Sequence, residues 1–340
     1  MADPSAAPPR WARAIASLAI GVLAVAAMAG FLRTTGRRSD LDLLWQASRF
    51  LLAGEDPWSM IGPGRTWEWA SPLYYPGTTL VAFAPLTGAT LETARALWVG
   101  GCAALLAWAV SRQGWWRLLV CGSAPFLHAS VGGQWSVIVA AAFLLWPLGV
   151  VAVLKPTVGL ATVMAAPGDR WPAAAAVAGI LLGGISLALA PDWPSAWLAA
   201  TSTAPHMSAP VAHWRVGGPL ALLALLRWRR PEARWLVALA CVPQSTLPYE
   251  GLYMLLMAAS RAELLALTIL SYIGSFAHYA IAGQHLSTVQ LHQLSGDVLV
   301  LLSYLPALVL ILRRPNVGSL PCWLARLSTA VSRALRRQTA

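Results

Sequence analysis

Long apolar runs separated by short polar connections dominate the chain. The first run covers residues 13–32 and is long enough to cross a bilayer. Further runs lie near residues 91–110, 118–131, 135–147, 173–190, 216–228, 235–248, 250–260, 263–282 and 295–312. These runs lack the alternation of barrel strands, and lipid otherwise permits only helices. We therefore expect an all-α integral membrane bundle with about ten spans.

The run at residues 148–166 differs from the others because Lys155 and Pro156 lie in its middle. Proline cannot donate a backbone hydrogen bond, and it disfavours helix at the residue before it. The sequence therefore predicts two half-helices that form a re-entrant hairpin. Irregular backbone of this kind is found in membrane proteins where it lines a cavity.

One long polar stretch interrupts the apolar pattern, in the first outer loop (residues 34–75). Within it, residues 41–53 carry apolar side chains at helical spacing. We expect this segment to form a helix in the membrane interface, capped by Ser39 or Asp40. Residues 73–87 are interrupted by prolines and a glycine, and we do not expect them to span.

Composition and charge agree with a membrane protein. The chain is 58% hydrophobic and only 11% charged, against about 25% charged residues in soluble domains. Its net charge of +11 comes from arginines at the ends of apolar runs, which is typical of cytoplasmic loops. Membrane lipids, rather than nucleic acid, are therefore the expected partner. We expect a cytoplasmic segment (1–12), a membrane domain (13–312) and a basic cytoplasmic tail (313–340), with both termini in the cytoplasm.

Few residues are candidates for chemistry. Lys155 is the only lysine in the chain. It either snorkels to the interface, or is a positive-inside residue of a short loop, or contacts a phosphate near the bilayer boundary. Asp40 and Asp42 either cap the predicted interface helix and interact with its dipole or belong to a functional site. Glu250, at the mouth of a predicted span, either binds a hydroxyl group or caps that helix.

Neither a metal nor a cofactor is expected. The four cysteines are scattered without ligand spacing, and the histidines of the outer loops, among them His206, lack the spacing of a zinc motif. No phosphate-binding or dinucleotide-binding glycine motif is present. The tryptophans, including Trp45, are expected to form mainly an interfacial belt, with some free to stack on a sugar face.

Five short motifs follow one another along the chain. They are SDLDLLWQASRFLLAGEDPW (39–58), YYPGTTLVAFAPL (74–86), GGQWS (132–136), LKPT (154–157) and TLPYEG (246–251). With these motifs, residues 13–260 resemble the polyprenyl-phosphate-sugar-dependent glycosyltransferases of the GT-C superfamily. The resemblance is greatest to the bacterial family 87 mannosyltransferase-like proteins. Three of the motifs depart from the family pattern: Gly77 replaces a proline, Glu250 replaces an aspartate, and Trp135 and Ser136 stand where the family often has an asparagine nearby.

The resemblance implies an inverting glycosyltransferase of the bacterial plasma (inner) membrane. It would move a mannose-like sugar from a polyprenyl-phosphate donor to a lipid or glycan acceptor on the outer face. By position, Asp40 matches the family's base, and Asp42 is the second candidate. The candidates for contact with the donor phosphate are Lys155, Arg33, Arg37 and Arg38. The other candidates for substrate contact are Tyr75, Gln134, Glu250, His206 and Trp45.

A non-catalytic membrane protein is the alternative function. It would be a lipid-linked-sugar binder, a flippase-like carrier or a subunit of a cell-envelope assembly. The shortness of the chain and the compressed link between GGQWS and LKPT favour this alternative. Geometry distinguishes the two functions, because an enzyme requires Asp40 and Lys155 to face one cavity. If Asp40 and Lys155 lay on opposite faces of the bundle, they could not act on one substrate, and the enzyme hypothesis would have no mechanism.

Overall fold

The computed structural model describes residues 8–203, 209–213, 216–284, 286–318, 320 and 325, and its regular structure is almost entirely helical. The α-helices are α1 (Arg10–Thr35), α2 (Asp40–Leu52), α3 (Pro57–Met60), α4 (Gly77–Phe83), α5 (Leu91–Ser111), α6 (Ala124–Gly132), α7 (Ser136–Leu144), α8 (Val151–Leu154), α9 (Pro156–Ala165), α10 (Arg170–Leu189), α11 (Trp193–Thr201), α12 (Pro231–Cys241), α13 (Leu252–Leu255), α14 (Arg261–Ala282), α15 (Thr288–Leu299) and α16 (Leu305–Leu312). The 3-10 helices are Ala84–Gly88, Trp115–Gly122, Trp146–Val150, Val211–His213, Gly218–Arg227 and Pro248–Gly251, and Val300–Tyr304 is a π-helix. The expected all-α class is confirmed.

Among the residues that the structure describes, strands are confined to two short pairs, which connect loops. The strands are β1 (Ile61–Gly62), β2 (Trp67–Glu68), β3 (Ala209–Pro210) and β4 (Pro243–Gln244). β1 pairs with β2 in parallel within the first long loop. β3 pairs with β4 in antiparallel orientation. Neither pair contributes a sheet to the core.

Five helices of the described chain are long and apolar enough to cross a membrane. They are α1, α5, α10, α14 and the segment Val289–Leu312, in which α15, the π-helix and α16 follow one another without a break. α6 and α7 meet at an angle of 120° and would make a sixth span if taken together. The chain is therefore a multi-pass helical membrane protein, whereas the expected ten spans are not confirmed.

The remaining expected spans form shorter helices or tight turns. The run at 216–228 is a 3-10 helix that begins at a Gly-Pro pair, and α12 and α13, in the runs at 235–248 and 250–260, have only 11 and 4 residues. Hydropathy alone predicts spans there because it measures apolar composition. It does not register how long the resulting helix is, or whether the segment winds as an α-helix or a 3-10 helix.

Helix α2 appears where the sequence predicts it. Ser39 caps the helix, and Ser39 and Asp42 form a reciprocal capping box. The apolar face packs on α4 and α5, and Leu41 and Leu44 are each only 1% exposed. Leu43 and Leu51 are buried in the same packing, whereas Leu52 at the end of the helix is exposed. The position of α2 in the membrane interface stays a prediction. The packing fixes the N-terminal end of α2 relative to the bundle.

The predicted break at Lys155 is observed between α8 and α9. Lys155 has φ −130° and ψ 81°, which lies outside the helical region, and Pro156 begins the next helix. The two helices fold closely against each other because Gly159 has no side chain. A Cβ atom at Gly159 would overlap the carbonyl oxygen of Val151. The break is therefore built into the packing of the hairpin.

We expect Gly159→Ala to lower the free energy of unfolding by about 1–3 kcal/mol, because the added methyl group overpacks the hairpin. Gly183→Ala in α10 is the matched control, since a Cβ atom there meets nothing within 4 Å. It should leave stability unchanged or raise it by up to about 1 kcal/mol through helix propensity. Denaturant unfolding of the detergent-solubilised chain measures both. Equal stability of the two variants would contradict the packing argument.

Candidate active site

A group of polar side chains from five separate segments meets beside the break. Asp40 begins α2, Gln134 lies between α6 and α7, and Lys155 separates α8 from α9. Tyr75 precedes α4, and Glu250 lies in the 3-10 helix Pro248–Gly251. Hydrogen bonds and electrostatic interactions connect all five. We call this group the polar cluster.

Asp40 is held on one side by an amide and faces an ammonium. The Nε2 atom of Gln134 donates a hydrogen bond to Oδ2 of Asp40 at 2.7 Å. Asp40 is partly exposed, yet enough protein surrounds it for burial to raise the pKa of its carboxyl group above the ordinary value. The Gln134 hydrogen bond and the Lys155 charge oppose this rise, whereas the Asp42 charge adds to it. The result is a carboxylate that accepts a proton more readily than an ordinary aspartate does.

Lys155 is shared between two carboxylates. Its Nζ atom lies 3.9 Å from Oε1 of Glu250, and it also interacts electrostatically with Asp40. Glu250 is fully buried, with Tyr249 and Tyr253 beside it. Burial of an unpaired carboxylate is costly, so the ammonium stabilises Glu250 in this position. The lysine side chain keeps 20% of its surface exposed, and it is therefore accessible to a ligand.

Aromatic rings form an apolar wall next to Asp40 and Gln134. The Trp135 ring lies 6.0 Å from the Tyr75 ring, 5.6 Å from the Phe83 ring and 5.0 Å from the Trp98 ring. Trp98 also donates a hydrogen bond to the carbonyl oxygen of Gly133 at 3.2 Å, which holds the turn that carries Gln134. Trp135 is only 1% exposed, so this wall excludes water from one side of the polar cluster. Sequence reasoning missed this role, and the GGQWS motif was its only signal.

Asp42 lies two residues from Asp40 but has different partners. Arg95 donates from Nε to Oδ1 at 2.8 Å and from Nη2 to Oδ2 at 2.6 Å. Ser39 donates to the same two oxygens from its hydroxyl group and its backbone N–H. Both oxygens are therefore engaged, and the residue is only 3% exposed. Asp42 fixes the start of α2 to α5, which leaves Asp40 as the candidate base.

The three arginines proposed for phosphate contact lie outside the polar cluster. Arg33, Arg37 and Arg38 are all exposed, at the end of α1 and in the connection that follows. Arg38 donates a hydrogen bond to the carbonyl oxygen of Glu68 at 3.1 Å, and its guanidinium group lies 4.9 Å from the centre of the Trp67 ring. The contacts of Arg38 are therefore made within the first outer loop, and they stabilise the conformation of that loop.

Two further candidates for substrate contact are not brought to the polar cluster. Trp45 lies in a separate open groove with Arg49, whose guanidinium group is 4.6 Å from the ring. His206 lies outside the described residues. In the part of the chain that the structure describes, no three His, Cys, Asp or Glu side chains are arranged to hold a metal ion.

We expect Asp42→Asn to lower the free energy of unfolding by about 2–4 kcal/mol, because it leaves the Arg95 guanidinium partly buried without its anionic partner. Arg95→Gln should cost a similar amount, and the double variant should cost less than the sum of the two. A double-mutant cycle of denaturant unfolding in detergent measures this coupling. Additive effects would show that the pair does not stabilise the fold.

We also expect the stability of the wild type to depend on pH through Asp40. The pKa of Asp40 is raised in the folded protein, so its contribution is complete below the unfolded pKa of about 4 and is lost as the pH rises through the folded pKa. Asp40→Asn stays neutral, and its advantage over the wild type should therefore grow from pH 4 to pH 8. Thermal unfolding across this range measures the difference. An advantage that shrinks as the pH rises would contradict the raised pKa.

Each of the five sequence motifs contributes one member of the polar cluster. They are Asp40 from 39–58, Tyr75 from 74–86, Gln134 from 132–136, Lys155 from 154–157 and Glu250 from 246–251. In comparisons with known proteins, no family model, no curated protein and no solved structure matches the chain.

Proposed function

We propose that the chain is an inverting glycosyltransferase of the bacterial plasma membrane. It moves a mannose-like sugar from a polyprenyl-phosphate donor to a lipid or glycan acceptor on the outer face. One observation carries this proposal: five motifs that are far apart in the sequence each contribute a residue to a single polar cluster beside a broken helix. A carboxylate with a raised pKa and a partly accessible ammonium are the groups that such a transfer requires.

Asp40 acts as the general base. It takes the proton from the acceptor hydroxyl group while the hydroxyl oxygen forms a bond to the anomeric carbon of the sugar. The bond from that carbon to the phosphate oxygen breaks, and its electron pair stays on the phosphate. A single displacement on the face opposite the phosphate inverts the anomeric configuration. The hydrogen bond from Gln134 fixes the carboxylate orientation during this step.

Lys155 stabilises the charge that develops on the leaving phosphate. An ammonium group has three N–H donors, and at 3.9 Å from Glu250 it is beyond ordinary hydrogen-bond distance. Its donors can therefore turn to a phosphate oxygen while Glu250 and Asp40 hold the charge in place. Electrostatic stabilisation of this kind supplies a large part of the catalysis in transfer reactions. The proposed mechanism uses no metal ion or cofactor.

The distribution of charge supports the orientation in the membrane. Arg95 binds Asp42 near the N-terminal end of α5, beside the start of α2. Arg117 follows the C-terminal end of α5 and interacts with Arg314 and Glu263, so a guanidinium-rich group lies at the other end of this 21-residue helix. We assign the guanidinium-rich end to the cytoplasm and the polar cluster to the outer face.

A lipid-linked-sugar carrier is the second candidate function. Lys155 faces two carboxylates, so the polar cluster contains more acidic than basic groups. Ionisable residues beside broken helices also mark transport pathways in membrane proteins. A carrier would bind the donor without breaking the sugar–phosphate bond.

The test is transfer from labelled polyprenyl-phosphate-mannose by the purified full chain in proteoliposomes, with a panel of lipid and glycan acceptors. We expect Asp40→Asn to lower transfer by about 100-fold or more, because it removes the general base, while donor binding is kept. Glu55→Gln is the matched control, since Glu55 is an exposed carboxylate of the same loop. It should transfer as the wild type does, and the product should have the inverted anomeric configuration.

Two outcomes count against the proposal. Full transfer by Asp40→Asn would show that Asp40 is not the base. A wild type that binds the donor but transfers nothing to any acceptor would favour the carrier instead.

A further inference from the structure

The break at Lys155 creates a backbone problem at the end of α8. In a continuous helix, the carbonyl groups of Val153 and Leu154 would accept hydrogen bonds from the N–H groups of residues 157 and 158. The non-helical backbone of Lys155 turns the chain away before those bonds can form. Both carbonyl groups precede the lysine directly, so whatever satisfies them also controls where the lysine lies.

Two threonine hydroxyl groups of α4 supply the missing donors. Thr78 donates to the carbonyl oxygen of Val153 at 2.5 Å, and Thr79 donates to the carbonyl oxygen of Leu154. Thr78 is 7% exposed and Thr79 is fully buried. Hydrogen bonds from helix α4 therefore hold the chain on the N-terminal side of Lys155.

The start of α4 is itself held in a narrow position. A Cβ atom at Gly77 would lie 2.8 Å from two atoms of the Trp193 ring, so a larger residue does not fit. This contact gives a physical reason for glycine at the position where the resembled family has proline. Tyr75, two residues before Gly77, is a member of the polar cluster. The short segment from Tyr75 to Thr79 therefore contributes the tyrosine ring to the polar cluster and the two hydroxyl groups that hold the backbone before Lys155.

We infer that Thr78 and Thr79 are positioning residues for Lys155, which keep its ammonium between Asp40 and Glu250. Their hydroxyl groups satisfy the two carbonyl groups at the break and thereby fix the backbone from which the lysine side chain extends. The consequence for sugar transfer rests on the proposed function. The placement of the lysine does not, and it can be measured separately.

Because the chain contains a single lysine, an amine-acetylating reagent reports its accessibility directly. The purified full chain is reacted for increasing times and digested, and the acetylated fraction of the Lys155 peptide is measured by mass spectrometry. We expect Thr79→Val and Thr78→Val to raise the Lys155 reaction rate by about fivefold or more, since each leaves a carbonyl group at the break without its donor. Sugar transfer should fall in parallel.

Three matched variants isolate the hydroxyl groups. Thr78→Ser and Thr79→Ser keep the donor and should react as the wild type does. Thr268→Val removes another buried threonine hydroxyl, one that donates to the Leu264 carbonyl oxygen within its own helix at 2.8 Å. It should leave the Lys155 reaction rate unchanged.

Several outcomes would overturn the inference. A wild-type reaction rate in a folded Thr78→Val or Thr79→Val variant would do so. An equal rise in Thr268→Val would assign the effect to general destabilisation, and an equal rise in the serine variants would assign it to lost methyl packing. If one valine variant does not fold, the other keeps the test decisive, because each threonine donates to its own carbonyl group. A wild type that transfers no sugar would count against the proposed function alone, because the labelling result does not depend on transfer.

Discussion

The helical hydrogen bonds are interrupted at Lys155, and in an apolar protein the carbonyl groups that lose their helical partners must find donors in other residues. Lipid offers no hydrogen bonds, so the carbonyl groups at the end of α8 depend on donors from within the fold. α4 supplies those donors, and α2 and the GGQWS turn pack around the same region. The polar cluster is thus arranged around one interruption of one helix. The interruption also explains how a lysine comes to lie among apolar helices, since only a non-helical residue separates α8 from α9 at this point.

Charge compensation distinguishes structural groups from candidate functional groups. Asp42 forms a bidentate salt bridge with one arginine. At the other end of the bundle, Arg314 forms salt bridges with two glutamates. In the polar cluster, by contrast, one ammonium serves two carboxylates. Perturbed and incompletely matched ionisable groups are characteristic of functional sites. The contrast between Asp40 and Asp42 is therefore set by their surroundings, although they share a residue type and a helical turn.

Local chemistry made parts of this arrangement predictable. The cap of α2, the break at Lys155 and the all-helical class depend on residues that are adjacent or within one turn, and the sequence indicates all three. The number of spans is less predictable, because hydropathy does not show that the run at 216–228 winds as a 3-10 helix. Partners far apart in the chain are the least predictable. Nothing local to Asp42 points to Arg95, and the carbonyl partner of Thr78 becomes evident only when α4 is placed against the hairpin.

The spacing of the polar cluster along the chain has a consequence for biosynthesis. Chains fold from the N-terminal part first as they are synthesised. Asp40 and Tyr75 therefore enter the membrane long before Lys155 is made, and Glu250 follows later still. During this interval the carboxyl group of Asp40 lacks the nearby ammonium that favours its ionised form in the complete fold. The charges of the polar cluster are therefore brought together only as the later segments of the bundle assemble.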